Sequence, residues 1–554
     1  MVRTVRTPFV LFALHLCAFG FSGSASAIDP ESVVIVANSS NSKSVELAEY
    51  YAERRGIPEE NIVALPMPEK ETLSGMDFIG EIWDPLQDRL VEDGWIRATF
   101  RSGRDDFTRR NAIVFGHKIG ALVLCKGVPL RVAHEDLFFA ERDTRRLPKP
   151  FQTTRASVDS ELALLAGDAY RMAGPTRNPI FGRFNPSAFS LEKIIKVSRI
   201  DGPSFTTARR MIDSAIEAEE TGLWGRAYVD IGGPHKNGDE WLEEVGNLIE
   251  QSNYDLDIDR GKPTIKASAR FDAPALYFGW YARSIEGAWK DLDVAVPPGA
   301  IAFHIHSFSA TTLQDRDVGW SGGLVDRGVA ATVGNVFEPY LEGTHNPVIF
   351  LASLLNGNTL ADAALQSIRF LSWQTIVLGD PLYRPFAVPL EDQLSSISIT
   401  NPFSQYAVIR EMNRILGEEG ESAAADYGKR KFLEAPGFAI GLKTARLLRE
   451  DGRAVEALDL LAPFRHSISV APDEIAVVVG IAGEFAKLGD TTSAMRLLSA
   501  MADSPNAPLI LQLSVLQEAA DIANGMGSFV EAENFRQEYE RRKPPPPEPK
   551  NKKK

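Results

Sequence analysis

The sequence predicts a doubly wound α/β domain with a mainly parallel sheet, followed by an all-α region of helical repeats. Short apolar runs alternate with amphipathic helical patterns between residues 30 and 386, which is typical of a parallel sheet with helices on both faces. Beyond about Pro402 the apolar spacing becomes helical and repetitive. The chain has 554 residues, enough for more than one domain.

Six apolar runs are predicted as strands of the α/β domain, which we place at residues 28–390. They lie at about residues 32–38, 119–125, 225–231, 275–279, 300–306 and 329–335. Continuous apolar runs of this length are typical of strands buried on both faces. The 275–279 and 300–306 strands are expected to be neighbours. The basic segment 131–190 interrupts the alternation, so we predict a long surface insertion there.

The first 27 residues have the pattern of a secretory signal peptide. Arg3 and Arg6 precede an apolar stretch from Pro8 to Phe21, and Ala25-Ser26-Ala27 matches a cleavage site. We therefore expect an extracytoplasmic protein, either secreted or periplasmic. No later run is apolar and long enough to predict a transmembrane segment.

Removal of this leader would leave a single cysteine, Cys125, which excludes an internal disulfide and a cysteine zinc cluster. Cys125 ends a predicted buried strand, so we interpret it as a small core residue rather than a reactive thiolate. The net charge of −14 argues against nucleic acid as a main partner.

The region 402–543 repeats a pair of small residues. Four glycines are each followed five residues later by an alanine: Gly420 and Ala425, Gly452 and Ala457, Gly489 and Ala494, Gly527 and Ala532. A glycine at a helix–helix turn and an alanine at a close crossing resemble tetratricopeptide repeats, which implies a protein or peptide partner. An irregular helical bundle is the alternative. We expect the core of this region to be local and the tail, 544–554, to be disordered.

Polar groups follow the two central predicted strands of the sheet. Gly279-Trp280-Tyr281 follows the first, and His304-Ile305-His306-Ser307 ends the second. Because parallel strands end at the same edge of a sheet, these groups are expected to line one cleft. We take Ser307, His306, Trp280 and Asp159 as its candidate functional residues.

These two segments resemble the active-site strands of caspase-like peptidases, and more closely those of gingipain-like peptidases. The matching segments are Tyr277–Tyr281, Phe303–Ser307 and Gly379–Leu382. In that family a histidine follows the first strand and a cysteine follows the second. This chain has Trp280 and Ser307 at those positions, so the resemblance implies a caspase-like fold without the peptidase dyad.

The chain also resembles a family of secreted bacterial proteins of unknown function. Three segments carry this second resemblance, at residues 126–131, 157–162 and 378–385. It implies a shared fold and no particular activity.

Two interpretations of Ser307 remain open, as a nucleophile or as a serine at a strand end. Trp280 cannot accept its proton, and a serine hydroxyl needs a general base more than a thiol does. His304 and His306 would point away from Ser307 if the strand continued through residue 306. A turn that began at His306 would remove this objection.

His304 and His306 also have the spacing of two metal ligands on one strand. His345, Glu338 or Asp315 would be the third ligand of such a divalent metal site. A hydrogen-bonded pair of core histidines explains the same pattern, so we assign no cofactor.

Two further motifs have both a structural and a functional interpretation. Asp159 and Glu161 would face the same way on an extended segment, as solvated carboxylates, toward Arg131 or Arg155, or as acceptors of a cationic group in the cleft. The segment 319–323, Gly-Trp-Ser-Gly-Gly, is either an anion cradle or a tight turn with a packing tryptophan.

Two functions fit these observations. The first is a binding or scaffold protein whose caspase-like domain has lost the dyad and whose repeats bind a protein or peptide. The second is a hydrolase with an altered site that uses Ser307, His304 or His306, with or without a metal. The sequence does not decide whether the protein is an enzyme.

Overall fold

A computed structural model describes residues 28–545 except Asn185 and Pro263. The predicted leader, residues 1–27, and the tail from residue 546 onward lie outside the described residues. No helix within the described range combines the length and the apolar composition that crossing a membrane requires.

The α/β domain is built on one ten-stranded sheet. Numbered along the chain, its strands are β1 Val33–Asn38, β2 Ile62–Leu65, β3 Ala121–Cys125, β4 Val197–Ile200, β5 Arg226–Asp230, β6 Leu256–Asp259, β7 Pro274–Gly279, β8 Ile301–His304, β9 Ala331–Asn335 and β10 Thr375–Leu378. Their order across the sheet is β6-β5-β7-β8-β9-β10-β4-β3-β1-β2. Neighbouring strands are parallel except β9 and β10. The prediction of a mainly parallel α/β sheet is confirmed.

All six predicted strands occur in this sheet, within two residues of their predicted bounds. β7 and β8 are parallel neighbours, with Phe278 opposite Phe303 and Gly279 opposite His304, as predicted. β8 ends at His304, two residues before the predicted bound. The physical reason is the turn over residues 307–310, which leads the chain away from the plane of the sheet.

The helices of this domain cover both faces of the sheet, so alternate residues of β1 belong to two separate apolar clusters. The longer helices are α1 Ser42–Arg55, α2 Asp84–Glu92, α3 Phe205–Thr221, α4 Lys236–Gln251, α5 Pro347–Leu355 and α6 Leu360–Ser367. Shorter helical segments lie at Gly75–Phe78, Ile79–Trp83, Glu141–Arg146, Val158–Leu162, Ala188–Leu191, Ala288–Asp291, Ser321–Asp326 and Leu390–Ser395. The Asn41 side chain caps the start of α1 by accepting the N–H of Lys43, and Gly56 ends the helix in the left-handed conformation.

Several small strands lie outside the main sheet. Ile96–Arg104 and Arg110–His117 form an antiparallel hairpin that the sequence analysis does not predict. Shorter pairings join Thr72–Leu73, Arg131–Val132 and Ala156–Ser157, and separately Thr176–Arg177 and Phe370–Leu371. The segment 131–190 is therefore not only a surface insertion, because its residues Val158 and Leu162 are fully buried in the core.

The second region consists of eight further helices, as the predicted all-α region requires. They are α7 Ser404–Glu419, α8 Glu421–Phe432, α9 Phe438–Glu450, α10 Ala454–Leu461, α11 Ile475–Lys487, α12 Thr491–Ala502, α13 Leu509–Gly525 and α14 Phe529–Arg542. The four repeat glycines have positive φ angles at turns between helices, and the four repeat alanines are fully buried. Both local predictions for these residues are confirmed.

The helical region also packs on the α/β domain, so the part of its core at this junction is not local. The Tyr406 hydroxyl on α7 donates to Asp272 at 2.5 Å, and Asp473 accepts the backbone N–H of Ala295 at 3.1 Å. One buried apolar cluster includes side chains of both regions, among them Phe271 and Met412. The physical reason is that the first repeat covers apolar surface that the sheet domain leaves open.

Candidate functional site

A pocket of about 270 Å³ lies beyond the carboxyl-terminal ends of β7 and β8. Of the four predicted cleft residues, Trp280, His306 and Ser307 line it, and Asp159 does not. The remaining lining residues come from the loops around this edge of the sheet: His235, Tyr281, Ile305, Asn335, Glu338, Pro339, Tyr340, Leu341 and Thr344. The structure therefore brings together the ends of the two strands that the sequence singled out.

Trp280 is held in a socket made by the loop and first turn of α4. Its indole Nε1–H donates to the Asp239 carboxylate at 2.7 Å, and only 1% of the residue is exposed. A Cβ atom at Gly233 or Gly238 would lie within about 2 Å of the indole, so the ring fits only because both positions are glycine. Trp280 thus offers no proton acceptor at the position where the resemblance implies a histidine base.

His306 is a buried titratable group that lines the pocket. It is 7% exposed, its ring centroid lies 4.3 Å from that of Tyr281, and its Nδ1 has no hydrogen-bond partner among the described residues. Burial lowers the pKa of His306, which keeps the imidazole neutral near pH 7. Ser307 follows directly and begins the turn, so strand alternation no longer separates the two side chains. The described residues include no hydrogen bond between them.

His304 lies behind the pocket wall and is bonded on both ring nitrogens. Its Nε2 accepts the Ala282 backbone N–H at 3.2 Å, so in the neutral ring Nδ1 carries the proton and donates to the Tyr277 hydroxyl at 3.1 Å. Its ring stacks on Trp320 with a centroid distance of 3.5 Å. Burial lowers its pKa well below the usual value. These contacts are those of a core histidine.

The structure does not gather three of the proposed metal ligands at one place within the described residues, although His306 and Glu338 both line the pocket. The described residues contain no group of three His, Cys, Asp or Glu side chains that could hold a metal ion. His345 is hydrogen-bonded to Ser367 at 2.9 Å and lines a different, smaller cavity. A metal at His304 and His306 stays a prediction, and His304 could join it only by giving up a protein hydrogen bond.

Behind the pocket, a series of hydrogen bonds runs from His304 through the Tyr277 hydroxyl to Asp230, the last residue of β5. Its Oδ2 accepts the Tyr277 hydroxyl and the Ile265 N–H, each at 3.3 Å, whereas its buried Oδ1 has no partner within the described residues. Burial raises the pKa of Asp230 to about 7. The sequence analysis missed Asp230, although its place at the end of a predicted strand was a usable signal.

We expect Asp230→Asn to raise the free energy of unfolding at pH 8 by about 2–4 kcal/mol, because the amide avoids burying a charge. A carboxyl group whose pKa is raised in the folded state takes up a proton on folding between pH 3.8 and about 7. Stability therefore falls as pH rises through that window and levels off above it. The measurement is urea denaturation at several pH values from 4 to 8, and the variant should lose this slope.

The matched control is Asp136→Asn, because the Asp136 side chain is 99% exposed. It should retain the pH dependence of the unaltered protein. Equal slopes for Asp230→Asn and the unaltered protein would contradict the assignment of this titration to Asp230.

Asp159 has a structural role away from the pocket. Its carboxylate binds Arg199 at 3.2 and 2.6 Å, and both side chains are buried. Burial raises the pKa of Asp159, and the charge of Arg199 opposes this shift. The pair lies beside the small cavity of about 30 Å³ that His345 also lines.

The expectation of solvated carboxylates on an extended segment is wrong. Asp159 and Glu161 lie on the helical turn Val158–Leu162, which Ser157 caps, and both are buried. Glu161 accepts hydrogen bonds from Ser372 and Tyr170. The helix forms because the Ser157 hydroxyl accepts the Ser160 N–H at 2.9 Å, an N-cap that overrides the alternation of an extended chain.

The two other motifs have structural explanations. The N–H groups of Trp320 and Ser321 both donate to the Ser309 carbonyl, at 2.7 and 3.0 Å. The segment 319–323 therefore leads into the helix Ser321–Asp326 and contains a buried, packing tryptophan, and these two N–H donors are not free for an anion. Cys125 is fully buried on β3, and burial raises the pKa of its thiol, so its prediction as a core residue is confirmed.

Comparisons with protein-family models, with curated proteins and with solved structures find no match to this chain. The fold and the pocket define an α/β protein with an aromatic-lined cleft at the carboxyl edge of its sheet. The resemblance to gingipain-like peptidases and to tetratricopeptide repeats stays a prediction from sequence motifs.

Proposed function

We propose that this chain is an extracytoplasmic binding or scaffold protein whose caspase-like domain no longer carries out peptidase chemistry. The Trp280 socket is the observation that carries this proposal. Asp239, Gly233 and Gly238 are all adapted to an indole at the expected base position, so the tryptophan is part of the fold. A thiol cannot substitute from elsewhere in the described chain, because Cys125 is enclosed in the sheet.

The helical region is proposed to act as a tetratricopeptide-like module that binds a protein or peptide. Support comes from the repeated turns and crossings, in which each glycine adopts a positive φ angle and each following alanine is buried. Stacked helical hairpins of this kind form extended surfaces that suit a peptide partner.

A hydrolase that uses Ser307 and His306 is the second candidate. Both residues line one pocket, and burial keeps His306 in the neutral form that a general base requires. The lack of a hydrogen bond between them weighs against an activated serine.

Active-site labelling of the purified protein separates these candidates. A fluorophosphonate probe reacts with an activated serine, and iodoacetamide reacts with an accessible thiolate. We expect no fluorophosphonate adduct at Ser307 above the background of Ser307→Ala. We also expect alkylation of Cys125 only after unfolding in urea, as mapped by mass spectrometry.

Stoichiometric fluorophosphonate labelling that Ser307→Ala abolishes would replace the binding proposal with the hydrolase. Rapid alkylation of Cys125 in the native protein would show instead that the thiol is accessible and that the nucleophile is misassigned.

A further inference from the structure

Three exposed aromatic residues stand around the pocket beyond β7 and β8. Tyr281 is 40% exposed, Phe308 is 42% exposed and Tyr340 is 42% exposed. Tyr281 and Tyr340 line the pocket itself, and Phe308 follows the lining residue Ser307. Exposed aromatic side chains grouped in one place mark a surface that binds a ligand or partner.

Two of these rings are presented by a strained backbone. Phe308 has a φ angle of 62° and Tyr340 one of 61°, in the left-handed region that bulky residues rarely adopt. The Phe308 N–H donates to the Phe337 carbonyl, and the Tyr340 N–H donates to Glu338, each at 3.1 Å. Non-glycine residues held in this conformation cluster at ligand sites.

The interior of the pocket has one buried polar atom without a protein partner among the described residues. His306 is more than nine-tenths buried, and its Nδ1 has no partner among the described residues. Buried polar atoms are nearly always hydrogen-bonded in folded proteins, so this nitrogen is available to bond a ligand in the pocket. Ser307 and Glu338 also line the pocket, and one Glu338 oxygen accepts the Tyr340 N–H.

The charges around the pocket favour a neutral ligand. No lysine or arginine is among its described lining residues, which disfavours an anion. Glu338 is the one carboxylate among these lining residues. Its charge raises the pKa of His306, whereas the charge of the nearby Arg283 lowers it. Arg283 thus offsets part of the attraction that Glu338 alone would exert on a cation.

The sheet gives no edge for a peptide backbone at this place. β7 is paired with β5 on one side and β8 on the other, and β8 is paired with β7 and β9. An extended peptide that binds beside a strand needs a row of unpaired backbone groups, whereas β7 is paired on both sides and β8 is paired with β7 throughout and with β9 over Ile301 and Ala302.

We infer that this pocket binds one ring of a neutral saccharide, an inference that rests on the proposed binding function. The faces of Tyr281 and Tyr340 pack against the C–H faces of a sugar ring. Ring hydroxyls donate and accept hydrogen bonds, which matches the free His306 nitrogen, the Ser307 hydroxyl and the Glu338 carboxylate. The volume of about 270 Å³ suits a single ring, and the exposed Phe308 extends the surface to a neighbouring ring.

The test is isothermal titration calorimetry of the full-length protein with three neutral hexasaccharides: maltohexaose, cellohexaose and chitohexaose. We expect at least one to bind. Its dissociation constant should rise at least tenfold in Tyr281→Ala, in Tyr340→Gly and in His306→Phe. Tyr340→Gly should also raise the melting temperature, because glycine relieves the left-handed backbone, so its loss of binding cannot reflect unfolding.

Phe115→Ala is the matched control, since Phe115 is 55% exposed on the separate hairpin, and it should leave binding unchanged. Failure of all three saccharides to bind, or binding that the three pocket variants leave intact, would overturn the saccharide inference. A pooled library of end-capped hexapeptides is the alternative ligand. If it binds and Tyr340→Gly abolishes this binding, the saccharide inference is overturned, although the pocket remains a binding site. The proposed function is tested separately by the labelling experiment. It is contradicted only if that experiment shows that Ser307 is an activated nucleophile.

Discussion

A fragment of residues 28–390 is expected to lose cooperative unfolding, because the helical region completes the core of the α/β domain. The cluster that includes Phe271, Tyr277 and Trp289 continues into the buried side chains of α7, such as Val408 and Met412. Without that cover, large apolar side chains would face water. The measurement is urea denaturation followed by circular dichroism, with binding of an apolar dye as a second readout.

Buried charges at this junction add to the effect of truncation. Asp272 binds Arg270 at 2.7 Å and accepts the Tyr406 hydroxyl at 2.5 Å, and Arg226 lies 3.6 Å away. The fragment loses the Tyr406 bond and exposes this network to water. The single substitution Tyr406→Phe should therefore lower the free energy of unfolding by about 1.5–3 kcal/mol, as for a hydrogen bond to a charged group.

Phe529→Ala provides the control for this junction, because Phe529 is 67% exposed on the last helix, and it should change stability by less than about 0.5 kcal/mol. A soluble 28–390 fragment with one sharp transition at the midpoint of the whole protein would show that the helical region is an independent module.

Asp159→Asn is expected to lower the free energy of unfolding by about 3–5 kcal/mol, because it leaves a buried guanidinium without its main counter-charge. The Arg199 side chain is 0% exposed, and its other contacts are the carbonyls of Val128 and Pro129 at 2.9 Å and Asp201 at 3.3 Å. None of these supplies the paired geometry of the Asp159 carboxylate. Urea denaturation at pH 7 measures the effect.

Two further variants decide how this loss arises. Asp168→Asn should have little effect, because the Asp168 side chain is 83% exposed in its pair with Lys193. Replacing both members of the buried pair, as Asp159→Leu with Arg199→Met, should destabilise less than Asp159→Asn alone. Unchanged stability of the Asp159→Asn variant would contradict the structural role of Asp159 and leave it as a candidate ligand-binding residue.

Local sequence patterns determined the strands and much of the cleft. β1, β3 and β7 are mainly continuous apolar runs, and such runs favour buried strands when helices flank them. Parallel order then places the ends of β7 and β8 side by side, which brings Trp280, His306 and Ser307 to one pocket. The repeat glycines likewise end their helices, because few other residues tolerate a positive φ angle.

The roles of individual side chains were decided only by tertiary structure, because they depend on groups that are distant in the chain. The Trp280 indole is fixed by Asp239, 41 residues away, and Asp159 by Arg199, 40 residues away. Asp272 meets Tyr406 across 134 residues. Periodicity reports which face of an element is apolar. It does not report which charged group or hydrogen-bond partner another element brings into contact with a side chain. That partner decides whether a carboxylate is solvated or buried in an ion pair. It also decides whether, as for Asp230 among the described residues, one oxygen has no hydrogen-bond partner.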